Sequence, residues 1–527
     1  MKPKVLVCDH VHASAVEILL PVADVVESAP LSEAELIACL PDFDALLVRS
    51  QTKVTAKALE HADRLKIIAR AGVGVDNIDL PAATRKGIVV VNSPEGNTIA
   101  AAEHTLALMF SLARHLPAAD QSLKANQWRR NDFMGAELYQ KTLGIVGLGK
   151  IGSHVARVAG SMGMQLLGYD PFITQERAEQ LNVRTVDLET LFAGSDYITL
   201  HVPKTNETRH LINAQSLAKM KDGVRIINCA RGELIDTEAL IAALEAGKVA
   251  GAALDVFEQE PLKDSPLQAL GNKVVLTPHL GASTEEAQVN VALDVARQVA
   301  LVLQGEPAQN AINIPSLMPS LMREVQPYFQ LSEKLGRFVG QLLTSGIKEV
   351  RIKYVGELAT KNTDPLKVAL IKGLLQPTLR EHVNYVNALL LAGDRGIRIS
   401  ETKAGSAHDY TNLISLEVCC DNETRQVAGA ILGESEERLV SIDGFPTSFT
   451  PKGQLLVIPH PDIPGMVGEV GALLGRYDVN ISGIQLGRHS KRGPAVMVVN
   501  IDEALSPDVL AAIQAREEFS QTRMVSL

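Results

Sequence analysis

The sequence predicts an α/β protein. It has two core domains built on doubly wound parallel sheets, then an α+β domain, then a small βαββαβ domain. Three observations predict it. Up to about residue 300, short apolar β-branched runs alternate with helical patterns, as buried parallel strands and their crossover helices do. A glycine fingerprint, Gly147-Leu148-Gly149-Lys150-Ile151-Gly152, lies between one such run and a helical pattern, which marks a Rossmann-type unit. The C-terminal segment reads strand, helix, strand, strand, helix, strand, the order of the ferredoxin-like split unit.

The elements follow in order. Strands are expected at 4–8, 45–48, 66–69, 88–91, 142–146, 165–169, 197–201, 225–228, 249–254 and 274–277. Helices fall between most of them, among them 100–112, 151–161, 237–246 and 284–303. The pattern divides in two at Pro94–Thr98, and a second block opens with the long helix from Ile99. Gly305-Glu306-Pro307 stops the 284–303 helix. Residues 311–315 read as chain crossing back out of a domain, and Pro315 and Pro319 bracket a linker. A helix at 331–343, strands at 349–355, 413–419 and 426–432, and a hairpin at Asp443-Gly444 follow, with no catalytic motif among them. The last region has strands at 454–458, 481–487, 495–501 and 522–527, with helices at 465–475 and 507–515.

Composition excludes several classes. The chain has 527 residues, length for three or four domains. Its formal net charge is −10, with no basic block to attract nucleic acid or an anionic membrane surface. Aromatic residues are 4%, too few for base-stacking platforms, and the single Trp128 is expected to pack in a core. Cys8, Cys39, Cys229, Cys419 and Cys420 make neither a disulfide framework nor a metal-ligand spacing, so no metal is expected. The start carries no secretory or transit pattern and no apolar run spans a bilayer, so a cytoplasmic protein is expected.

The chemistry lies in the second block. In the fingerprint, Gly147 permits the tight turn, Gly149 lets a pyrophosphate approach the backbone, and Gly152 lets helix and strand pack closely. The helix N-terminus offers free N–H groups to phosphates. Asp170 ends the next strand, where a carboxylate accepts hydrogen bonds from an adenosine ribose and repels a 2′-phosphate, which favours NAD over NADP. Oxidation of a hydroxyl further needs a base, a cation for the substrate's charge and a group to tune the base. Three strand ends offer them: Asn228-Cys229-Ala230-Arg231-Gly232, Asp255-Val256-Phe257-Glu258-Gln259-Glu260-Pro261 and Thr277-Pro278-His279-Leu280-Gly281-Ala282-Ser283. Ligands of open α/β sheets sit at such ends. An arginine fork suits a carboxylate, an imidazole titrates near neutral pH, and a neighbouring carboxylate stabilises imidazolium.

These segments, with Val48-Arg49-Ser50-Gln51-Thr52-Lys53, Arg70-Ala71-Gly72-Val73-Gly74-Val75-Asp76-Asn77 and Pro94-Glu95-Gly96-Asn97, resemble the motif set of the D-2-hydroxyacid dehydrogenases. The resemblance covers almost the whole chain and is to the long form, with an intervening domain and a C-terminal ACT domain. It implies a discontinuous substrate-binding domain (1–98 and 283–315), an inserted NAD-binding domain (99–282), an intervening domain (316–450) and an ACT regulatory domain (451–527). It implies catalysis by Arg231, Glu260 and His279. It implies NAD contacts at Val73, Gly147, Gly149, Lys150, Ile151, Gly152, Asp170, Val202, Cys229, Ala230, Arg231, Asp255, His279, Gly281 and Ala282, with Asp255 meeting the nicotinamide carboxamide. Substrate contacts would come from Arg49, Ser50, Arg70, Gly72, Gly74 and Asn97, whose cations and backbone N–H groups suit a phosphate and a carboxylate.

The implied reaction is oxidation of 3-phospho-D-glycerate at its 2-hydroxyl, the entry to serine synthesis. In the ACT domain the resemblance implies an L-serine effector site at His460, Asp462 and Asn480, and it implies a homo-oligomer, a tetramer. Two alternatives remain open: a dehydrogenase of another 2-hydroxy acid, and an NAD-binding sensor or corepressor without turnover.

Overall fold

The computed structural model describes residues 2–314, 317, 319–379, 383–405, 410–433 and 435–527. Pro315, at which the expected linker begins, lies outside the described residues.

The first sheet is all parallel, in the order Asp24–Glu27, Lys4–Val7, Ala45–Val48, Ile67–Arg70, Val89–Asn92. Its central strands are apolar on both sides because both faces are covered: Leu46 points into one cluster and Leu47 into another. The edge strand Asp24–Glu27 escaped the sequence reading because Asp-Val-Val-Glu is a short and mostly exposed run. One face is covered from far along the chain, by Val291, Val295 and Val299 of the Glu285–Leu303 helix. The chain then ties itself to the last strand. Ile312 N–H donates to Val90 O (2.8 Å), and Asn313 accepts from Val90 N–H (2.9 Å) and donates to Ile88 O (2.8 Å).

The second sheet is also all parallel, in the order Val274–Leu276, Val249–Leu254, Val224–Asn228, Tyr197–Leu200, Thr142–Val146, Gln165–Tyr169, Arg184–Thr185. Chain order reverses at Thr142–Val146, which pairs with Gln165–Tyr169 on one side and Tyr197–Leu200 on the other. Such a reversal opens a crevice at the carboxyl ends. The register aligns those ends: Tyr169, Val146, Leu200, Asn228, Leu254 and Leu276 stand side by side. The loops of this sheet that are predicted to carry chemistry therefore leave it along one edge. The two-residue strand Arg184–Thr185 was not expected; it is too short to show a period.

A six-stranded sheet follows, in the order Arg398–Ala404, Ile347–Gly356, Asn412–Cys420, Thr424–Leu432, Glu436–Ile442, Phe445–Phe449, with one parallel pair at its start. Asp443 and Gly444, both at positive φ (48° and 83°), make its last hairpin, as expected. The Asp364–Leu379 helix is buried nearly all round and carries no amphipathic period, so the sequence reading missed it. It lies against the Pro319–Leu342 helix at backbone contact. A Cβ on Gly336 would stand 2.0 Å from Leu370 O, and one on Gly373 2.1 Å from Glu333 O. The C-terminal sheet has the order Ile481–Arg488, Pro494–Ile501, Gln454–Pro461, Arg523–Ser526, all antiparallel, with the Met466–Arg476 and Pro507–Gln514 helices on it.

One burial expectation is corrected. Trp128 is 83% exposed, not core, and it shares its stretch with the exposed Leu116, Leu123, Met134 and Tyr139. The segment is tied to the end of the Thr98–Arg114 helix at Ala136, whose N–H donates to Ala113 O (2.9 Å), and Trp128 lies outside that contact.

Gly336→Ala should drive a methyl group into the Leu370 carbonyl. A loss of at least ~1–3 kcal/mol is expected, read as a lower urea midpoint for the transition of this part of the chain.

Candidate active site

The fingerprint glycines behave as their chemistry requires. Gly147 sits at φ 91°, and a Cβ there would stand 2.6 Å from His201 O. A Cβ on Gly152 would stand 2.0 Å from Gly147 O, so only glycine lets the helix approach the strand. Gly149 meets nothing within 4 Å and faces open space, the room a pyrophosphate needs. Asp170 accepts from Leu148 N–H (2.8 Å) and Phe172 N–H (2.9 Å), so the carboxylate shapes the loop it borders. Val202 packs beside Gly147. A cavity of about 620 Å³ opens here between Glu95, Thr98 and Ile99 on one side and Gly149, Lys150 and His154 on the other, with a Lys150–Glu95 ion pair (2.5 Å) across it. These features fit NAD.

The loop that carries His279 is held by Asp255. The Asp255 side chain is fully buried and accepts from Thr277 Oγ1–H (2.6 Å), Leu280 N–H (2.7 Å) and Gly281 N–H (2.8 Å), with His104 Nε2 at 3.1 Å. Burial pushes this carboxyl up, but the hydrogen bonds from His104, Thr277 and Leu280 outweigh it and hold it below the usual aspartate range. Asp255 thus ties the loop together through its side chain, with Gly281 N–H the donor on Oδ2. Its work is to fix a loop in which His279 stands at φ 55°, a conformation a non-glycine residue adopts only when its surroundings hold it there. The His279 N–H donates to Asp255 O (2.9 Å).

His279 Nδ1 stands 2.7 Å from Glu260 Oε2, and Glu260 also accepts from Phe257 N–H (3.1 Å). Burial raises the Glu260 carboxyl, yet its hydrogen bond to His279 and the charge of that ring prevail and lower it. Arg231 leaves the neighbouring strand end and crosses to the first sheet's loops. Its Nε lies 3.1 Å from Asp76 Oδ2 and its Nη1 donates to Ala230 O (2.7 Å). The backbone at Gly74 lies so close that a Cβ there would stand 1.9 Å from Arg231 Nη2. Cys229 is an inert neighbour: burial pushes its thiol up to about 12.

Opposite, the first sheet delivers more cations. Register sets Val48 beside Arg70 and Arg70 beside Asn92, so Arg49, Arg70 and the Ser93–Asn97 segment leave one edge together. Arg70 folds over Gly72, where a Cβ would stand 1.7 Å from Arg70 Nη1. Burial, then the repulsion of Arg231, lowers Arg70 to about 10. Arg70 Nε and Asn97 Oδ1 are buried without a hydrogen-bond partner. Ser50 is exposed beside Arg49, and Val73 O accepts from Asn92 Nδ2 (2.5 Å). The sequence reading assigned no role to Asp9, Asp76, Asn77, His104 or Thr277. Asp9 and Thr277 each follow an apolar strand, the one signal that could have singled them out.

In the C-terminal domain the three expected effector residues are already engaged. Asp462 pairs with Arg488 (2.7 Å) and accepts from Arg492 N–H (3.0 Å), while Asn480 donates to Asp502 (2.6 Å). His460 is buried, with Nδ1 at 2.8 Å from Pro461 O and Nε2 without a partner. His460 and Asp462 are neighbours at one strand end, and no hydrogen bond links Asn480 to either.

Comparison with known proteins bears on these sites. Residues 106–281 match the family model of the D-isomer specific 2-hydroxyacid dehydrogenase NAD binding domain. Residues 324–443 match the D-3-phosphoglycerate dehydrogenase intervening domain, and 455–518 the ACT domain. Among solved structures, a D-lactate dehydrogenase from Aquifex aeolicus complexed with NAD and lactic acid is 30% identical, covers 57% of this chain and 96% of its own, and superposes with a TM-score of 0.51. A protein from Thermus thermophilus is 34% identical, with 59% and 99% covered and a TM-score of 0.55. Fold and site thus define an NAD-dependent D-isomer specific 2-hydroxyacid dehydrogenase. Curated relatives narrow this further. The D-3-phosphoglycerate dehydrogenase of Synechocystis sp. is 54% identical over 97% of this chain and 92% of its own length. Those of Methanocaldococcus jannaschii (44%; 99% and 100%) and Bacillus subtilis (43%; 99% and 99%) match as fully. The chain belongs to the D-3-phosphoglycerate dehydrogenase family.

Asp255→Asn should lower kcat/KM at least about tenfold, because His279 loses its fixed loop, and should cost ~2–4 kcal/mol in unfolding free energy. A carboxyl held below its ordinary value stabilises the fold above that value and loses the effect only as pH falls through its lower folded one. The stability deficit should therefore be as large at about pH 5 as at about pH 8.

Proposed function

We propose that this chain oxidises 3-phospho-D-glycerate to 3-phosphohydroxypyruvate with NAD, the first committed step of L-serine biosynthesis. The observation that carries the reading is the cation pocket. Arg70 and Arg231 stand close enough to repel each other, Arg49 adds to the repulsion, and Arg70 Nε has no partner. A substrate bearing both a carboxylate and a phosphate relieves that repulsion, whereas a plain 2-hydroxy acid supplies one anion. The names of the relatives support the same substrate.

Each residue then has a role. NAD bound over Gly147–Gly152 supplies the acceptor for the hydride that leaves C2. Asp170 would hold the ribose, and the backbone at Val73, Ile151, Val202, Cys229, Ala230, Gly281 and Ala282, with Asp255, would line the rest of the cofactor's path. Glu260 accepts the Nδ1–H of His279, which leaves Nε2 as the lone pair that takes the hydroxyl proton. The imidazolium so formed is stabilised by the same carboxylate. Arg231 exchanges Asp76 for the substrate carboxylate and polarises the forming carbonyl. Arg49, Ser50, Arg70, Gly72, Gly74 and Asn97 hold the anionic groups.

The domain division follows the contacts. Residues 1–98 and 283–315 form the substrate-binding unit and 99–282 the cofactor unit, with the site in the cleft that Arg231–Asp76 and Lys150–Glu95 cross. Residues 316–450 and 451–527 form the intervening and ACT units. L-serine is the proposed effector at His460, Asp462 and Asn480, its ammonium displacing Arg488 from Asp462. The exposed apolar stretch around Trp128 supports a homo-oligomer, a tetramer. The five cysteines stand free, which suits a reducing, cytoplasmic setting. Among the described residues no helix is long and apolar enough to cross a membrane.

The test is NADH formation from 3-phospho-D-glycerate at alkaline pH with a keto-acid trap, with and without millimolar L-serine. Turnover that serine suppresses is expected. Equal or better turnover of lactate or unphosphorylated glycerate would overturn the substrate assignment. Arg70→Gln should lower kcat/KM for the phosphorylated acid by about 10²-fold or more.

A further inference from the structure

The Arg49-Ser50-Gln51-Thr52 segment has an unusual support. Asp9 is 3% exposed, and among the described residues no lysine, arginine or histidine forms an ion pair with it. A buried carboxylate without a cation is costly unless several donors converge on it. Here they do. Asp9 accepts from Arg49 N–H (2.9 Å), Gln51 N–H (3.2 Å), Thr52 N–H (3.0 Å) and the Thr52 hydroxyl. Asp9 and His10 stand at φ 63° and 52°, two consecutive non-glycine residues in the left-handed region. That conformation is unfavourable by itself and persists only where surrounding contacts determine it.

The other side of the segment is held from a second loop. Asn77 Nδ2 donates to Arg49 O (2.9 Å) and to Thr52 O (2.8 Å), and its own carbonyl accepts from Val54 N–H (2.8 Å). Its neighbour Asp76 is the residue that faces Arg231. Three of the segment's four N–H groups are thus taken by Asp9 and its end carbonyls by Asn77. The half-buried Arg49 guanidinium is left with no acid at ion-pair distance among the described residues.

We propose that Asp9 and Asn77 are positioning residues: a two-sided backbone clamp that holds Arg49–Thr52 so that the Arg49 guanidinium faces the anionic end of the substrate. This rests on the proposed function in one respect, that the substrate is an anion bound at Arg49. Neither residue touches the reacting atoms, so both act through Arg49 and the segment that carries it. A clamp of this kind acts on substrate binding, not on proton transfer or on the cofactor.

The experiment is steady-state kinetics on the full-length enzyme with Asp9→Asn, Asn77→Ala, Arg49→Ala and the double variant Asp9→Asn/Arg49→Ala, with thermal unfolding of each as a check on folding. Asp9→Asn should raise KM for 3-phospho-D-glycerate about tenfold or more, leave kcat within about threefold and leave KM for NAD within about twofold. In the Arg49→Ala background, Asp9→Asn should raise KM by less than about twofold, because its route to the substrate is already gone. Asn77→Ala should show the same split from the other side of the segment, and it carries the test if Asp9→Asn fails to fold. Equal losses in kcat and in KM for NAD would overturn the clamp, as would a full multiplicative effect in the Arg49→Ala background. If the wild-type enzyme turns over a different 2-hydroxy acid, the functional reading fails separately, and the clamp is judged on KM for that acid.

Discussion

The site depends on one buried carboxylate. Asp255 closes the Val249–Leu254 strand and binds the Thr277–Ala282 loop through two N–H groups and a hydroxyl. It also reaches His104 on the Thr98–Arg114 helix. Without that tie the positive φ of His279 is sustained only by its own N–H bonds to the Asp255 and Thr277 carbonyls, and the imidazole is less firmly delivered to Glu260. Desolvation opposes the charge on Asp255, and the convergent donors outweigh it. The pairing of His279 with Glu260 thus rests on a buried residue of another strand end.

A second constraint is electrostatic. The chain is acidic as a whole, yet its cleft gathers Arg49, Arg70 and Arg231 at the facing edges of two parallel sheets. Parallel strands in register place their ends on one line, so cations far apart in sequence meet at one opening. Like charges held close and partly desolvated are unfavourable alone, and an anionic ligand offsets this. The same arrangement makes Arg231 a bridge between the halves, since it rises from one sheet and meets Asp76 of the other.

Much of this was legible beforehand. The parallel strands of both core sheets carried apolar, β-branched runs, because both faces of each sheet are buried, and Gly147–Gly152 announced its turn by composition. The exceptions have physical causes. Asp24–Glu27 is an exposed edge strand and Arg184–Thr185 only two residues, so neither shows a period. Asp364–Leu379 is buried all round and so shows no helical stripe. A lone Trp is expected in a core because large aromatics usually are buried, but Trp128 stands on the surface beside other exposed apolar side chains.

By itself the sequence determined which residue types stand at the ends of the strands. Local chemistry decides that: apolar runs make strands, glycines make the phosphate turn, and the polar residues that follow can only be loops. Tertiary structure decided which of those loops meet. Asp9 finds Thr52 and Asp255 finds Gly281 only after sheet register and helix packing have brought distant strand ends to one edge. Asp255 shows in the sequence only as a polar residue after a strand; the fold makes it the anchor of the His279 loop, because three donors from that loop close around it.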